Sequence, residues 1–294
     1  MTEKIIYALG FFDGVHIGHQ ALLKACKELA EKENCRAGVI TFTTHPDILV
    51  SGSAPRLIST SADRRKLLEQ YGMEVVVELP FDQKLMQTPW QEFLNMVKEE
   101  YAAAGFVCGH DFRFGKKGEG TAALLQEACE KEGLPCRVVA EQKMEGITVS
   151  STYIRSLLEA GEMERATAFL GHPFCLTETI VEGKKLGRTL SIPTANMALP
   201  QELVQPKLGV YAGTIVIDGK TYVAVTNIGT RPTVDGEGIT VESWFPDFSG
   251  DLYGKTLTLK LFCFIREEKK FPNLEALQAE IQENAQLARK LLGK

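Results

Sequence analysis

No apolar run in this chain approaches the roughly 20 residues that a membrane-spanning helix needs. The first apolar stretch, Ile5 to Leu9, is short and soon meets Asp13, so no secretory signal is expected. Cys-x-x-Cys pairs are missing. The seven cysteines are odd in number, which disfavours a disulfide framework and a zinc site and favours reduced thiols. A basic surplus is missing too: the net charge is −5, unlike that of a nucleic-acid binder. Internal repeats and low-complexity linkers are absent. These absences point to a cytoplasmic protein with no nucleic-acid or membrane partner and leave protein partners open. Anionic small ligands also stay open, because an acidic chain can carry locally basic loops.

What is present is enough for two domains: 294 residues, 44% of them hydrophobic. In the first part of the chain short apolar runs alternate with helical patterns, the mark of a parallel sheet with crossover helices. Strands are predicted at Ile5–Leu9, Arg36–Phe42, Glu74–Leu79, Gly105–Cys108 and Cys136–Ala140. Thr88-Pro89-Trp90-Gln91 reads as a helix start, with a Thr cap and Pro in the first helical position. Short helices are predicted from Thr152 to Glu159 and from Glu162 to Leu170, before Gly171-His172-Pro173 breaks the pattern.

After Phe174 the period drops to two. Cys175–Val181, Val210–Ile217, Thr221–Thr226, Thr240–Ser243 and Thr256–Ile265 read as antiparallel strands of a small barrel, with a hairpin at Asp218-Gly219. An amphipathic helix follows Pro272-Asn273, with Leu274, Leu277, Ile281, Ala288 and Leu291 as its buried stripe. The switch of period gives domains 1–172 and 173–294.

The most informative segment is Gly10-Phe11-Phe12-Asp13-Gly14-Val15-His16-Ile17-Gly18-His19, between the first strand and a helix. Glycines allow a phosphate to approach the backbone, a helix N-terminus attracts it, and two imidazoles can donate to it as charge develops. Three more polar segments follow strands or open a helix. They are Thr41-Phe42-Thr43-Thr44-His45-Pro46, the basic and aromatic Gly109–Lys117, and Ser150–Arg155. In the last, hydroxyls cap a helix and Arg155 falls one turn in, an arrangement that can hold β- and γ-phosphates. Taken singly, His45-Pro46 is equally well a turn and Ser150-Ser151-Thr152 an ordinary N-cap.

The second half has a glycine-spaced basic loop, Gly183-Lys184-Lys185-Leu186-Gly187-Arg188, which is not a P-loop by spacing. Pro193-Thr194-Ala195-Asn196 follows. In an extended segment Thr194 and Asn196 point the same way, and their oxygens are hard donors that Mg2+ accepts. Alone, that segment is more often a turn. Glu242, beside Val241 and Trp244, is either a solvent-facing carboxylate or a general base for an alcohol.

Together these segments resemble the bacterial bifunctional riboflavin kinase/FAD synthetase family. The first half carries its G-x-F-D-G-V-H-x-G-H, T-F-x-P-H-P, G-x-D-F-x-F-G and S-S-T-x-I-R runs, with Thr44 in a proline position. The resemblance implies an α/β fold: a doubly wound parallel-sheet nucleotidyltransferase domain, then a small antiparallel β-barrel domain with a C-terminal helix. It implies that the first domain adenylylates FMN to FAD. There His16 and His19 would serve catalysis, and Gly10, Phe12, Asp13, Gly14, Gly18, Ser151, Thr152 and Arg155 would hold ATP. His45, Pro46, Asp111, Phe112 and Arg113 would lie toward FMN.

The second half carries the kinase runs: a basic glycine loop leading into P-T-A-N, then N-I-G-x-R-P-T, and a Glu ahead of D-F-x-G-D-L-Y-G. The resemblance implies phosphorylation of riboflavin by ATP, with Glu242 as base. Gly183, Lys185, Gly187, Arg188, Pro193, Thr194 and Asn196 would be at Mg-ATP, with Thr194 and Asn196 as metal ligands. Asp251, Tyr253 and Arg266 would be near the flavin, Arg266 in a mobile loop. Riboflavin, FMN, FAD and ATP are the expected ligands and Mg2+ the expected cofactor, with no tightly bound cofactor required. Ser191 stands where the family has glycine and Trp244 where it has His. These departures leave an alternative: an FAD synthetase whose impaired kinase half is a flavin-binding regulatory module. A nucleotidyltransferase for another phosphate ester is a further rival, opposed by the Pro193–Asn196 and Glu242 set.

Overall fold

A computed structural model describes residues 3–181, 194–233 and 236–293. The chain forms two compact units, Met1–Pro55 with Thr60–Ser151, and Arg56–Ser59 with Thr152–Lys294.

The first unit runs β1 (Ile5–Leu9), α1 (Ile17–Lys32), β2 (Arg36–Phe42), the single turn α2 (Asp47–Val50), α3 (Ser61–Gln70), β3 (Val75–Leu79), α4 (Gln83–Gln87), α5 (Trp90–Glu100) and β4 (Ala103–Gly109). It continues through the hairpin β5 (Arg113–Phe114) and β6 (Gly120–Thr121), α6 (Ala122–Glu132), β7 (Cys136–Val139), and the hairpin β8 (Lys143–Met144) and β9 (Ile147–Thr148). Five strands form a parallel sheet in the order β3-β2-β1-β4-β7. β1 shows why both faces are covered. Ile5, Tyr7 and Leu9 share a core with Phe93 and Val97 of α5 and Leu125 of α6. Ile6 and Ala8 pack with Leu23 and Cys26 of α1 and Leu68 of α3. A strand buried on both faces reads as a continuous apolar run, which is how IIYAL reads. The sheet is doubly wound, so loops at its carboxyl edge are free to bind ligands.

Thr88 is not the cap of α5. Pro89 is the N-cap residue, and the Thr88 hydroxyl donates back to Lys84 O at 2.8 Å, closing α4 instead.

The second unit begins with α7 (Ser151–Ala160), whose first residue belongs to the first unit, and α8 (Met163–Leu170). β10 (Phe174–Thr179), β11 (Thr194–Ala198), β12 (Gly209–Ile217), β13 (Lys220–Thr233), β14 (Gly236–Trp244) and β15 (Thr256–Arg266) follow, then α9 (Leu274–Leu291). The six strands form an antiparallel sheet in the order β10-β15-β12-β13-β14-β11. The sheet curls until Val181, just past β10, bridges Asn196 on β11, its N–H donating to Asn196 O at 2.9 Å. Asp218 and Gly219 both take positive φ in the two-residue β12–β13 turn, matching the twist of the hairpin.

This partition differs from a division at 172/173 in placing Arg56–Ser59, α7 from Thr152 on, and α8 in the second unit, and α8 packs on β10 and β15. The stripe of α9 also differs from expectation. Asn284, Ala285 and Ala288 are buried, whereas Leu274 and Leu291 are each 46% exposed. Ala285 and Ala288 pack on Val210 and Ala212 of β12 and Val223 and Val225 of β13, and both end leucines lie beyond that contact.

Candidate active sites

The Gly10–His19 segment leaves β1 through a strained turn. Phe12 (φ 60°), Gly14 (φ 70°) and Val15 (φ 42°) take left-handed backbone, a costly state for the β-branched Val15. The strain delivers His16 to the N-cap of α1, where its Nδ1 accepts from His19 N–H at 3.3 Å. In neutral His16 the ring proton is therefore on Nε2. His16 and His19 stack with centroids 3.6 Å apart and planes 14° apart, and the Phe12 ring meets His19 edge-on at 5.2 Å. A Cβ at Gly18 would press on the His16 ring at 3.1 Å. His19 Nδ1 is buried with no hydrogen-bond partner among the described residues. Burial, then His16, then Arg64 hold His19 well below its ordinary pKa, so it is a neutral donor rather than a cation at pH 7.

A cavity of about 340 Å3 opens on this stack. Gly10, Phe12, His16, Gly18 and His19 line it, with Asp111, Phe112 and Ser151. The Ser151 hydroxyl donates to Asp13 O at 3.1 Å and ties the start of α7 to the glycine loop. Thr152 and Arg155 follow in the second unit, where Arg155 Nη2 donates to Thr152 Oγ1 at 3.2 Å.

A second cavity in the first unit, about 720 Å3, has Phe42, Leu49, Phe81, Phe93 and Phe114 on its walls and Arg113 and Lys117 as cations. Pro46 and Arg113 thus lie together here, apart from Asp111 and Phe112 in the smaller cavity. Phe112 stacks on Phe114 at 5.4 Å and 15°, which joins the two walls. His45 meets Phe11 edge-on at 4.6 Å, and its Nδ1 accepts from Asp47 N–H, holding a local turn.

In the second unit the site is written across strands. Asn196 of β11 and Asn227 of β13 both pair with Glu242 of β14, and Thr194 and Val225 both pair with Trp244. Paired residues share a sheet face, as do residues two apart, so two parallel rows face one way. They border a cavity of about 280 Å3 whose lining includes Thr194, Asn227, Glu242 and Trp244. Asn284, Ile281 and Phe271 close it from the side of α9. The Asn196 side-chain oxygen is buried without a partner among the described residues. Asn227 Nδ2 donates to Glu268 Oε1 at 2.9 Å, and a Cβ at Gly229 would collide with that carboxylate.

Arg266 also lines the cavity, but as the last residue of β15 rather than in a mobile loop. Its Nε lies 2.7 Å from Glu280 Oε1, and Lys269 is on the other oxygen at 2.5 Å. The Lys269 hydrogen bond is the main cause of the lowered Glu280 pKa. Asp251 and Tyr253 do not line this cavity; Asp251 Oδ1 accepts from Tyr253 N–H in a local turn. Gly183, Lys185, Gly187, Arg188, Ser191 and Pro193 lie outside the described residues.

Residues 1–153 match the family model described as FAD synthetase, and residues 170–292 the one described as riboflavin kinase. Proteins described as bifunctional riboflavin kinase/FMN adenylyltransferase from Listeria monocytogenes and Escherichia coli K12 are 31% and 34% identical to this chain. The matches cover 98% and 99% of this chain, and 93% and 94% of those proteins. The chain belongs to the bifunctional riboflavin kinase/FMN adenylyltransferase family.

A solved structure from Streptococcus pneumoniae, described as a macrolide-efflux protein, has a TM-score of 0.89 and 29% identity, covering 98% of this chain and 95% of that one. No helix among the described residues is long and apolar enough to cross a membrane. The two family models leave 154–169 between them, which is most of α7 and α8. The reading of the kinase half as an impaired regulatory module finds no support, since that half matches the riboflavin kinase model. Trp244 is 8% exposed and inside the kinase-half cavity, so the departure from His bears on the site itself.

Sequence reasoning missed Arg64, Asn284 and most of the apolar wall of the larger cavity. For Arg64 one signal was available. It stands four residues before Leu68, on the helix face that faces the core.

Proposed function

We propose that the second unit transfers the γ-phosphoryl group of ATP to the 5′-hydroxyl of riboflavin, and that the first unit joins FMN to the AMP part of a second ATP. The Asn196–Glu242–Asn227 row carries the kinase assignment, because an alcohol nucleophile needs a base beside a phosphate site. The riboflavin oxygen attacks the γ-phosphorus, its proton passes to the Glu242 carboxylate, and the bond to the β–γ bridging oxygen breaks to release ADP. The orphaned Asn196 oxygen and the Thr194 hydroxyl fit Mg2+, which takes few protein oxygens and shares its shell with phosphates. Bound there, Mg2+ supplies positive charge to the phosphate oxygens. Arg266 and Trp244 border the flavin, and Gly183, Lys185, Gly187, Arg188 and Pro193 take part in holding ATP.

In the first unit the nucleophile is the FMN phosphate, already ionised at neutral pH, so no base is required. An FMN oxygen attacks the α-phosphorus and pyrophosphate leaves. His16 and His19 donate from fixed positions to the charge that builds on the phosphates. Gly10, Phe12, Asp13, Gly14 and Gly18 shape the nucleotide side, with Ser151, Thr152 and Arg155 toward the triphosphate tail. The aromatic cavity beside Arg113 and Pro46 has the chemistry of a flavin ring site. Domains 1–172 and 173–294 are the functional division, and the cytoplasm, where both substrates are soluble, is the working compartment.

Chromatography of flavins after incubation with Mg-ATP tests both steps, one tube starting from riboflavin and one from FMN. FAD in both tubes is expected. FAD from FMN alone would refute the kinase assignment, and no FAD from FMN would refute the adenylyltransferase assignment.

A further inference from the structure

Arg64 is a buried cation that the two reactions leave without a task. It stands in the first turn of α3 and is 1% exposed. Its Nη2 donates to Phe42 O at 2.7 Å, and its guanidinium centre lies 4.3 Å from the centroid of the Phe11 ring. Nε and Nη1 are buried with no hydrogen-bond partner among the described residues. Asp13 and Glu78 are its carboxylate neighbours in electrostatic terms, yet neither takes up these two donors. Glu78 is already held by Ser61 at 2.5 Å and Arg65 at 2.9 Å. A guanidinium stays charged, and burying it with idle donors is unfavourable enough that an apolar replacement is often neutral or stabilising.

Its place in the fold indicates what would use those donors. Phe42, which accepts from Arg64, lines the larger, aromatic cavity. Gly10 and Phe12, the neighbours of Phe11, line the smaller cavity with the two histidines. Arg64 itself lines neither cavity, but it holds a wall residue of the first and touches the turn whose neighbours line the second. A flavin nucleotide with its ring in the first cavity, attacking a nucleotide in the second, would bring its phosphate between these two walls. We propose that Arg64 is a phosphate-binding residue of the first unit, through its idle N–H donors at Nη1 and Nε. The Thr41 hydroxyl holds Phe11 O at 2.9 Å, so the Phe11 ring, not its backbone, is what moves to admit the phosphate.

The proposal rests on the adenylyltransferase reading of the first unit, and its test separates the two. Arg64→Met and Arg64→Lys are made in the full chain, and FAD formation is measured against FMN and against Mg-ATP. The Met variant is expected to lose about 100-fold or more in kcat/KM for FMN, with part of the loss recovered by Lys, which keeps the charge but not the guanidinium donors. Its melting temperature without ligands is expected to equal or exceed that of the wild type. A rise in KM for ATP with the FMN constants intact would also support phosphate binding, and would assign the phosphate to the nucleotide. Unchanged constants for both substrates would overturn it, as would a melting temperature that falls in Met and recovers in Lys while turnover stays normal. A wild type that makes no FAD from FMN sinks the adenylyltransferase reading instead. Thermal titration with inorganic pyrophosphate then still decides Arg64: a shift smaller in the Met variant supports the contact, and an equal shift removes it.

Discussion

Two carboxylates border the kinase cavity, and Glu242→Gln against Glu268→Gln separates their roles. Glu242 is flanked in register by Asn196 and Asn227, in the middle of the polar row. Glu268 already accepts from Asn227 Nδ2 at 2.9 Å and is exposed at the rim. A glutamine keeps the volume of Glu242, and the side chain is only partly buried, so the cost to folding should stay near 0.5 kcal/mol. What glutamine cannot do is accept the proton of the attacking hydroxyl. General bases contribute about 100- to 10,000-fold, which is about 2.7–5.4 kcal/mol on the barrier at 1.36 kcal/mol per decade. FMN formation from riboflavin should fall by that factor in Glu242→Gln, while FAD formation from FMN stays unchanged. In Glu268→Gln the amide oxygen still accepts from Asn227, so kinase turnover should fall by less than about 10-fold. Initial rates by flavin chromatography, with urea midpoints as the folding control, read both. Normal kinase turnover in Glu242→Gln, or the larger loss in Glu268→Gln, refutes the assignment.

Three further outcomes are expected. His19→Ala should cut FAD formation from FMN by at least about 100-fold while sparing FMN formation; parallel loss of both would refute separate sites. His19 is depressed below its ordinary 6.5, by burial first and then by His16 and Arg64, so the unfolded chain takes up that proton first as pH falls. The stability tied to neutral His19 is present above pH 6.5 and is lost as pH drops from there toward the folded value. Urea midpoints should therefore decline more steeply on acidification in the wild type than in His19→Gln, and equal slopes would refute the burial argument. Asn273 Oδ1 accepts from Ala276 N–H at 2.8 Å and caps α9, so Asn273→Ala should cost about 1 kcal/mol in urea unfolding; a change below about 0.3 kcal/mol would count against the cap.

The parts legible in the sequence are those whose signal is local. β1 and β2 are predicted to the residue because strands buried on both faces are apolar runs with polar ends. The glycine–histidine turn is legible for the same reason, since a strand, a loop and a helix start follow one another within fifteen residues. β13 is predicted only to Thr226 but runs to Thr233, because Asn227, Gly229 and Pro232 carry turn propensity that pairing with β14 overrides. The stripe of α9 fails at Leu274 and Leu291 because periodicity gives a face but not how far the partner strands extend along it. Asn284 is buried for a non-local reason: it faces a cavity that the distant strands β12, β13 and β14 create. The register of Asn196 and Asn227 on Glu242 is likewise a property of three strands together. Glu242 alone reads equally as a solvated carboxylate.

The two units divide the chemistry according to what their nucleophiles lack. A ribityl hydroxyl holds its proton at neutral pH, so its site needs a carboxylate beside the reacting oxygen, and the second unit puts Glu242 at the crossing of two asparagines. A phosphate monoester has already lost its proton and brings negative charge to a triphosphate that carries more. Neutral N–H donors and a buried cation favour their approach. The first unit supplies such groups: a stacked histidine pair whose buried member is kept uncharged, and a buried guanidinium with two idle donors.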